Sequence, residues 1–233
     1  DKVGVQARAM QKHFYAPFVA FYVNSNGELG VLGIMLTRHT DGRKNEVYNT
    51  ETRKDSPNTY IFAKMHVACA DSQMHQFYAH FGCCHLVFEP FGVAVRNVFN
   101  HGTPEAQEHI VGKLLGPHFR DHLAINWLAR NTLVAHGEVV IPCADAGFAL
   151  GAKGGLVLLG MQYKNWKFSD QAFPQQLRIR GFDPYSSDKL RYYYRDDGMM
   201  IWYGLKSYVE LAVKMWYYKR DEAELNESIA NLL

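Results

Sequence analysis

The spacing of apolar and polar positions predicts how this chain begins to fold. Two short apolar, β-rich segments, Phe18 to Val23 and Leu29 to Thr37, flank the turn-forming residues Asn24 to Glu28. This pattern is typical of a β-hairpin. The stretch Arg38 to Thr59 is polar and interrupted by Gly, Asn and Pro, so it predicts a surface loop.

The next part of the chain has apolar residues at the spacing expected of helices. From Ile61 to Asn97 apolar residues recur every three or four positions, interrupted only by Pro90, and this predicts two helices that meet near Glu89 and Pro90. Leu114 to Ala135 carries a similar pattern. We therefore expect a mainly α fold with one short N-terminal hairpin.

The last part of the sequence predicts a loop and then a helix. Val139 to Gly160 loses the helical pattern and is rich in Gly and Ala, which favours a loop. Asp196 and Asp197 precede a stripe of apolar residues at helical spacing. Acidic residues stabilise a helix N-terminus, so a final helix is expected there.

Composition narrows the classes of function. The 233 residues are 48% hydrophobic and carry a formal charge of +2, which suits one soluble domain with a large core and gives no basic stripe for nucleic acid. The four cysteines form no C-x-x-C pair, so a reduced compartment, the cytoplasm, is expected. No segment has the apolar length of a secretory signal or a membrane span.

Three histidines spaced five residues apart are the main candidate chemistry. His75, His80 and His85 would point to different sides of a regular α-helix, because five residues turn the chain by about 140° beyond a full circle. In a helix widened to i to i+5 hydrogen bonds they would share one face, and such turns occur mostly at functional sites. Imidazole suits iron, zinc or copper. Buried histidines bonded to backbone carbonyls are the alternative interpretation.

The sequence resembles the lipoxygenase family in several ordered motifs. MHQFYAHFGCCHLVFEPFGVAVR, preceded by AKMHVACAD, is similar to the family's iron-binding helix with its H-x4-H-x4-H pattern. LLGPHFRDHLAINWLAR is similar to the segment that ends in I-N-x-x-A-R, and YYYRDDGMMIWYGLKSYVELAVKMWYY to the R-D-D-G helix. FYVNSNGELGVLGIMLT is similar to the hairpin that precedes the catalytic helices.

The resemblance implies specific site residues. His80 and His85 match the family's iron ligands on this helix, whereas His75 matches a neighbouring residue that is not a ligand. Three residues match positions that line the substrate site: Gln76, Ala129 and Leu133. At the position of Ala129 the family associates Ala with S hydroperoxides and Gly with R products. Leu133 matches a bulky residue that lies over the reacting pentadiene. An ordinary helix core face would also place apolar residues at positions 129 and 133.

Three further polar residues are candidate metal ligands. Glu89 could complete a two-histidine, one-carboxylate metal site, as in an unrelated zinc or iron hydrolase, although the matching acidic residue of the family is not a ligand. His122 and Asn126 have the H-x-x-x-N spacing of the family's later ligand pair, but they fall in the I-N-x-x-A-R segment. We therefore treat these two as structural.

As a lipoxygenase-type protein, the chain is expected to be a non-haem iron dioxygenase. It would insert O2 into polyunsaturated fatty acids to give hydroperoxides, in oxylipin metabolism, with peripheral contact to a membrane. Residues 1–233 would form a single partial catalytic domain without an N-terminal lipid-binding β-sandwich. The family supplies a third His, often an Asn, and a C-terminal carboxylate beyond the R-D-D-G helix. A truncated or degenerate, inactive lipoxygenase, or a lipid-binding scaffold, is therefore the alternative.

Overall fold

The structure is a computed structural model that describes residues 14–134, 143–186 and 188–218. Helices dominate these residues and the sheet has two antiparallel strands, so the expected mainly α fold with a short hairpin is confirmed. The strands are β1 (Phe18–Val23) and β2 (Leu29–Met35). The α-helices are α1 (Thr50–Asp55), α2 (Pro57–Gln73), α3 (Glu89–Val95), α4 (Pro104–Glu108), α5 (Ile110–Phe119), α6 (His122–Ala129), α7 (Cys143–Gly147), α8 (Gly151–Asn165), α9 (Phe173–Ile179) and α10 (Tyr193–Tyr218). Three π-helical segments, π1 (Met74–Leu86), π2 (Arg96–Asn100) and π3 (Arg130–Val134), and a short 3-10 helix, Phe168–Asp170, complete the described elements.

The hairpin forms where its turn residues predicted it. The side-chain Oδ1 of Asn24 accepts hydrogen bonds from the backbone N–H groups of Asn26 and Glu28, both at 2.9 Å. Gly27 has a φ of 80°, a left-handed conformation that glycine adopts at no steric cost. A Cβ at this position would also lie 1.9 Å from the carbonyl oxygen of Lys189. The turn therefore requires glycine.

The loop predicted for Arg38 to Thr59 is wrong in its second half. Asn49 caps α1: its side chain accepts from the backbone N–H groups of Glu51 and Thr52, and the Thr52 hydroxyl accepts from the Asn49 N–H. Such a capping box stabilises a helix start without any apolar periodicity. The residues of α1 are all polar and none is buried, so apolar spacing could not indicate this helix.

The helical segment that carries His75, His80 and His85 is widened. The five-residue spacing required such a widening if the histidines were to share one face. Residues Met74–Leu86 form π1, which continues α2 without a break. At its end the N–H of Val87 donates to the carbonyl of Gly82 at 3.1 Å, an i to i+5 hydrogen bond. The next helix, α3, begins at Glu89, so the predicted junction near Glu89 and Pro90 is confirmed.

The loop predicted for Val139 to Gly160 is also wrong where the structure describes it. Residues 139–142 lie outside the described part, whereas α7 and α8 occupy most of the rest. On α8 the glycine that favoured a loop has a packing role: a Cβ at Gly155 would lie 2.4 Å from the Phe77 ring. Packing against π1 thus overrides the low helix propensity of glycine.

The chain divides into two compact units. The first comprises Asp1–Phe88, Ala124–Trp166 and Ser187–Arg191, and the second comprises Glu89–Leu123, Lys167–Ser186 and Tyr192–Leu233. The larger core of the first unit joins π1 to α8; its buried apolar residues are Phe77, Phe81, Ala129, Val134, Ala144, Leu150, Ala152, Leu158 and Leu159.

The predicted last helix is present in the second unit as α10, which begins ahead of Asp196 and packs against α5 and α9. No helix within the described ranges combines the length and apolar content needed to cross a bilayer.

Candidate metal centre

The two histidines singled out as ligands face each other on π1. The Nε2 atoms of His80 and His85 lie 3.1 Å apart, and the ring centroids are 4.9 Å apart at an interplanar angle of 66°. The i to i+5 geometry of the segment produces this convergence, because residues five apart stack on one face of a π-helix. The pair can therefore present two imidazole nitrogens to one small cation.

Each ring also has an amide partner on its other nitrogen. The Nδ1 of His80 lies 3.0 Å from Oε1 of Gln76, one turn earlier on the same segment. The Nδ1 of His85 lies 3.1 Å from Oδ1 of Asn126, on α6. A hydrogen bond to the second ring nitrogen orients a metal-binding imidazole. Both Nε2 atoms are thus the nitrogens left to face each other.

All five residues predicted for the site line one cavity of about 240 Å³. Gln76, His80 and His85 come from π1, Ala129 ends α6, and Leu133 lies on π3. The other lining residues are apolar: Phe77, Phe81, Ile125, Val134, Ala144 and Phe148. The cavity therefore combines one polar corner, at the histidines, with apolar walls, which is the usual composition of a small-molecule site.

The surroundings of His80 favour its neutral form. Desolvation lowers its pKa from the ordinary value, and the neighbouring His85 and His75 rings lower that pKa further. Neutral imidazole is the form that binds a metal ion, since protonation occupies the ligating lone pair. The lowered pKa of His80 thus favours the form of the side chain that a ligand requires.

His75 occupies a different position from the other two histidines. Its ring stacks on His80 at a centroid distance of 6.2 Å and an angle of 21°, and it is absent from the lining of the cavity. Within the described residues no group of three or more His, Cys, Asp or Glu side chains is placed to hold a metal ion. The pair His80 and His85 therefore stands without a third such side chain in that part of the chain.

Asn126 is the residue whose importance the sequence did not reveal. The sequence predicts a structural role for it, and the structure places its fully buried side chain in contact with His85. Asn126 is a polar residue within the apolar face of a predicted helix. This position could have indicated a specific contact, because a buried amide requires a hydrogen-bonding partner. Spacing alone could not identify that partner, which lies 41 positions earlier in the chain.

Comparison with known proteins agrees with the resemblance. The sequence profile of the Lipoxygenase family matches residues 5–231. Linoleate 9S-lipoxygenase 1 of Hordeum vulgare is 33% identical over 219 residues, which are 87% of this chain and 24% of the barley protein. The allene oxide synthase-lipoxygenase protein of Plexaura homomalla is 29% identical over 92% of this chain and 19% of its own length.

Solved structures show the same similarity in three dimensions. A calcium-dependent 11R-lipoxygenase matches with a TM-score of 0.72 and 28% identity, over 89% of this chain and 28% of that one. An anaerobic structure of a lipoxygenase variant in complex with arachidonate matches with a TM-score of 0.73 and 27% identity, over the same shares of the two chains. The chain thus spans about a quarter of the length of the proteins it matches.

Proposed function

Because this chain belongs to the lipoxygenase family, we propose that it supplies two ligands of a non-haem iron site and part of a fatty-acid cavity. The activity we assign is insertion of O2 into polyunsaturated fatty acids to give hydroperoxides. The observation that carries the proposal is the 3.1 Å separation of the His80 and His85 Nε2 atoms at the edge of an apolar cavity. Gln76, Ala129 and Leu133 line that cavity as well.

The histidine pair fits an iron ion. Zinc–imidazole nitrogen bonds are roughly 2.0–2.1 Å long, so two imidazole nitrogens that held one ion of similar size would lie no more than about 4 Å apart. The observed separation of 3.1 Å agrees with this arrangement. Imidazole is a normal ligand of iron. His80 and His85 are therefore the residues that would hold the ion.

The cavity walls can position an acyl chain. The lining is apolar apart from Gln76 and the two histidines, so it favours a hydrocarbon segment over water. Bound iron would supply the one-electron oxidation that removes hydrogen from a methylene between two double bonds. The task of the protein is then to hold one methylene near the histidines and to control which face of the resulting radical is open, which is catalysis by positioning.

Two residues of the cavity are placed to control which face of the substrate radical is open to oxygen. Ala129 is 7% exposed, and Leu133, four residues later, also lines the cavity. A methyl group at position 129 occupies the space that a glycine would leave to oxygen. We therefore assign to Ala129 and Leu133 the steering of oxygen, with S hydroperoxides as the expected product.

Substrate oxygenation tests this function directly. The full chain, expressed with added iron, is incubated with linoleate and arachidonate, and product is followed as conjugated-diene absorbance. We expect product from the unaltered chain and none from the His80→Ala, His85→Ala double variant. Iron binding without product would instead favour a non-catalytic lipid-binding scaffold. Product formation that survives in the double variant would exclude the assigned site.

A further inference from the structure

Asn126 contacts His85 through both ends of its side-chain amide. Its Oδ1 lies 3.1 Å from the His85 Nδ1, and its Nδ2 donates to the His85 carbonyl oxygen, also at 3.1 Å. The side chain is fully buried on α6, with a relative exposure of 0%. Burial of an amide without hydrogen bonds is costly, so this pair of contacts holds the Asn126 amide in one orientation.

This orientation determines where His85 carries a proton. A backbone carbonyl can only accept, so the Asn126 atom that faces it must be the NH2 group. The other end of the amide is then the carbonyl oxygen, which also can only accept. Nδ1 of His85 must therefore be the donor in this contact. In neutral imidazole a proton on Nδ1 leaves the lone pair on Nε2, the atom that faces His80.

From this geometry we infer that Asn126 is a positioning residue for metal binding: it fixes His85 in the Nδ1–H tautomer and directs the Nε2 lone pair into the site. The inference rests on the proposed iron site. Gln76 cannot fix His80 equally well. Gln76 lies partly buried on the same helical segment and contacts the ring at 3.0 Å. Among the described residues no second hydrogen bond defines which end of its amide faces the ring.

A purely structural role for Asn126 makes a different prediction. In that case the important contact is the hydrogen bond from Nδ2 to the His85 backbone, which joins α6 to π1. Asn126→Asp and Asn126→Leu, two substitutions that keep the branched shape and the number of heavy atoms of the side chain, separate the two roles. Aspartate keeps an acceptor for Nδ1 and loses the donor to the carbonyl, whereas leucine loses both.

Metal titration gives the first readout. Co(II) serves as the probe because N-ligand sites bind it more tightly than Fe(II). Loss of a group that orients a metal-binding histidine typically lowers metal affinity by about 10–100-fold, and we expect that loss for Asn126→Leu. Asn126→Asp should retain affinity within a few-fold, because carboxylate is a common partner of ligating histidine. Equal losses in both variants, or unchanged affinity in Asn126→Leu, would overturn the inference.

A matched control is available on the neighbouring segment. Asn131 donates from Nδ2 to the Trp127 carbonyl at 2.7 Å, but its side chain is exposed and does not line the cavity. Asn131→Leu thus removes an asparagine-to-backbone hydrogen bond without touching His85. We expect its Co(II) affinity to equal that of the unaltered chain.

The tautomer itself gives the second readout. In metal-free protein with 15N-labelled histidine, NMR distinguishes a protonated ring nitrogen from one with a free lone pair. His85 should show Nδ1–H in the unaltered chain and in Asn126→Asp, and a mixture with Nε2–H in Asn126→Leu. An Nε2–H tautomer in the unaltered chain would exclude the role of Asn126. Absence of Co(II) binding by the unaltered chain would instead reject the iron site, so the two failures are distinguishable.

Discussion

The Phe77 ring fills the space directly above Gly155. Phe77 lies on π1 between the predicted ligands and α2, is 4% exposed, and lines the candidate site. A Cβ at Gly155 would lie 2.4 Å from the nearest ring atom, much closer than any van der Waals contact permits. Glycine at this position therefore lets α8 approach the widened helix and supports the wall of the cavity.

Alanine at position 155 should destabilise the protein. Its methyl group must displace the Phe77 ring or move α8, and such overpacking typically costs about 1–3 kcal/mol in the free energy of unfolding. Gly160→Ala is the matched control, because a Cβ there meets nothing within 4 Å. It should stabilise α8 by up to about 1 kcal/mol through helix propensity. Urea unfolding measures both variants, and stabilisation by Gly155→Ala would contradict the close approach.

The three histidines of π1 should differ in their effect on metal binding. His80→Ala and His85→Ala each remove one of the two converging nitrogens. The resulting loss of Co(II) affinity should exceed the roughly 10–100-fold typical of losing an outer partner. His75→Ala should keep most of the affinity, since His75 does not line the cavity. Equal losses from all three substitutions would disprove the assignment of the ligands.

Glu89→Ala tests the alternative of a hydrolase built on two histidines and one carboxylate. We expect this variant to bind Co(II) with the affinity of the unaltered chain, because the structure places no third acidic, histidine or cysteine side chain with His80 and His85 among the residues it describes. The measurement is the same titration. Loss of binding in Glu89→Ala would favour the hydrolase and reject our proposal.

Ala129→Gly should move the product toward R stereochemistry. Removal of the methyl group opens the buried wall of the cavity at position 129. Chiral chromatography of the hydroperoxides formed from linoleate measures the change. Ala144→Gly is the control, since Ala144 is also buried and lines the same cavity but matches no position linked to stereochemistry. An S excess that persists in Ala129→Gly would contradict the role assigned to Ala129.

The sequence predicted the parts of the fold that have a local signal. The turn residues Asn24 to Glu28 indicated the hairpin, and Pro90 indicated the helix junction, because each restricts the backbone in its own neighbourhood. The five-residue spacing of His80 and His85 was also informative. It showed that a shared metal site would require a widened helix, and the structure has that helix.

Some features that the sequence did not predict depend on contacts between segments that are distant in the chain. Others depend on residues whose effect is not visible in the spacing of apolar positions. Gly155 favours a loop by propensity, but Phe77, far earlier in the chain, stabilises α8 by packing. The helix α1 depends on the cap at Asn49, which periodicity does not detect. The contact between Asn126 and His85 likewise joins two helices that spacing treats separately.

Metal stoichiometry tests whether His80 and His85 form a metal site. The purified 233-residue chain is titrated with Co(II) beside its His80→Ala, His85→Ala double variant, and bound metal is measured by elemental analysis after removal of free ions. We predict about one ion per unaltered chain, as expected for two nitrogens that converge on one point, and negligible metal in the double variant. Equal uptake by the two proteins, or none by either, would contradict the proposal that His80 and His85 form a metal site.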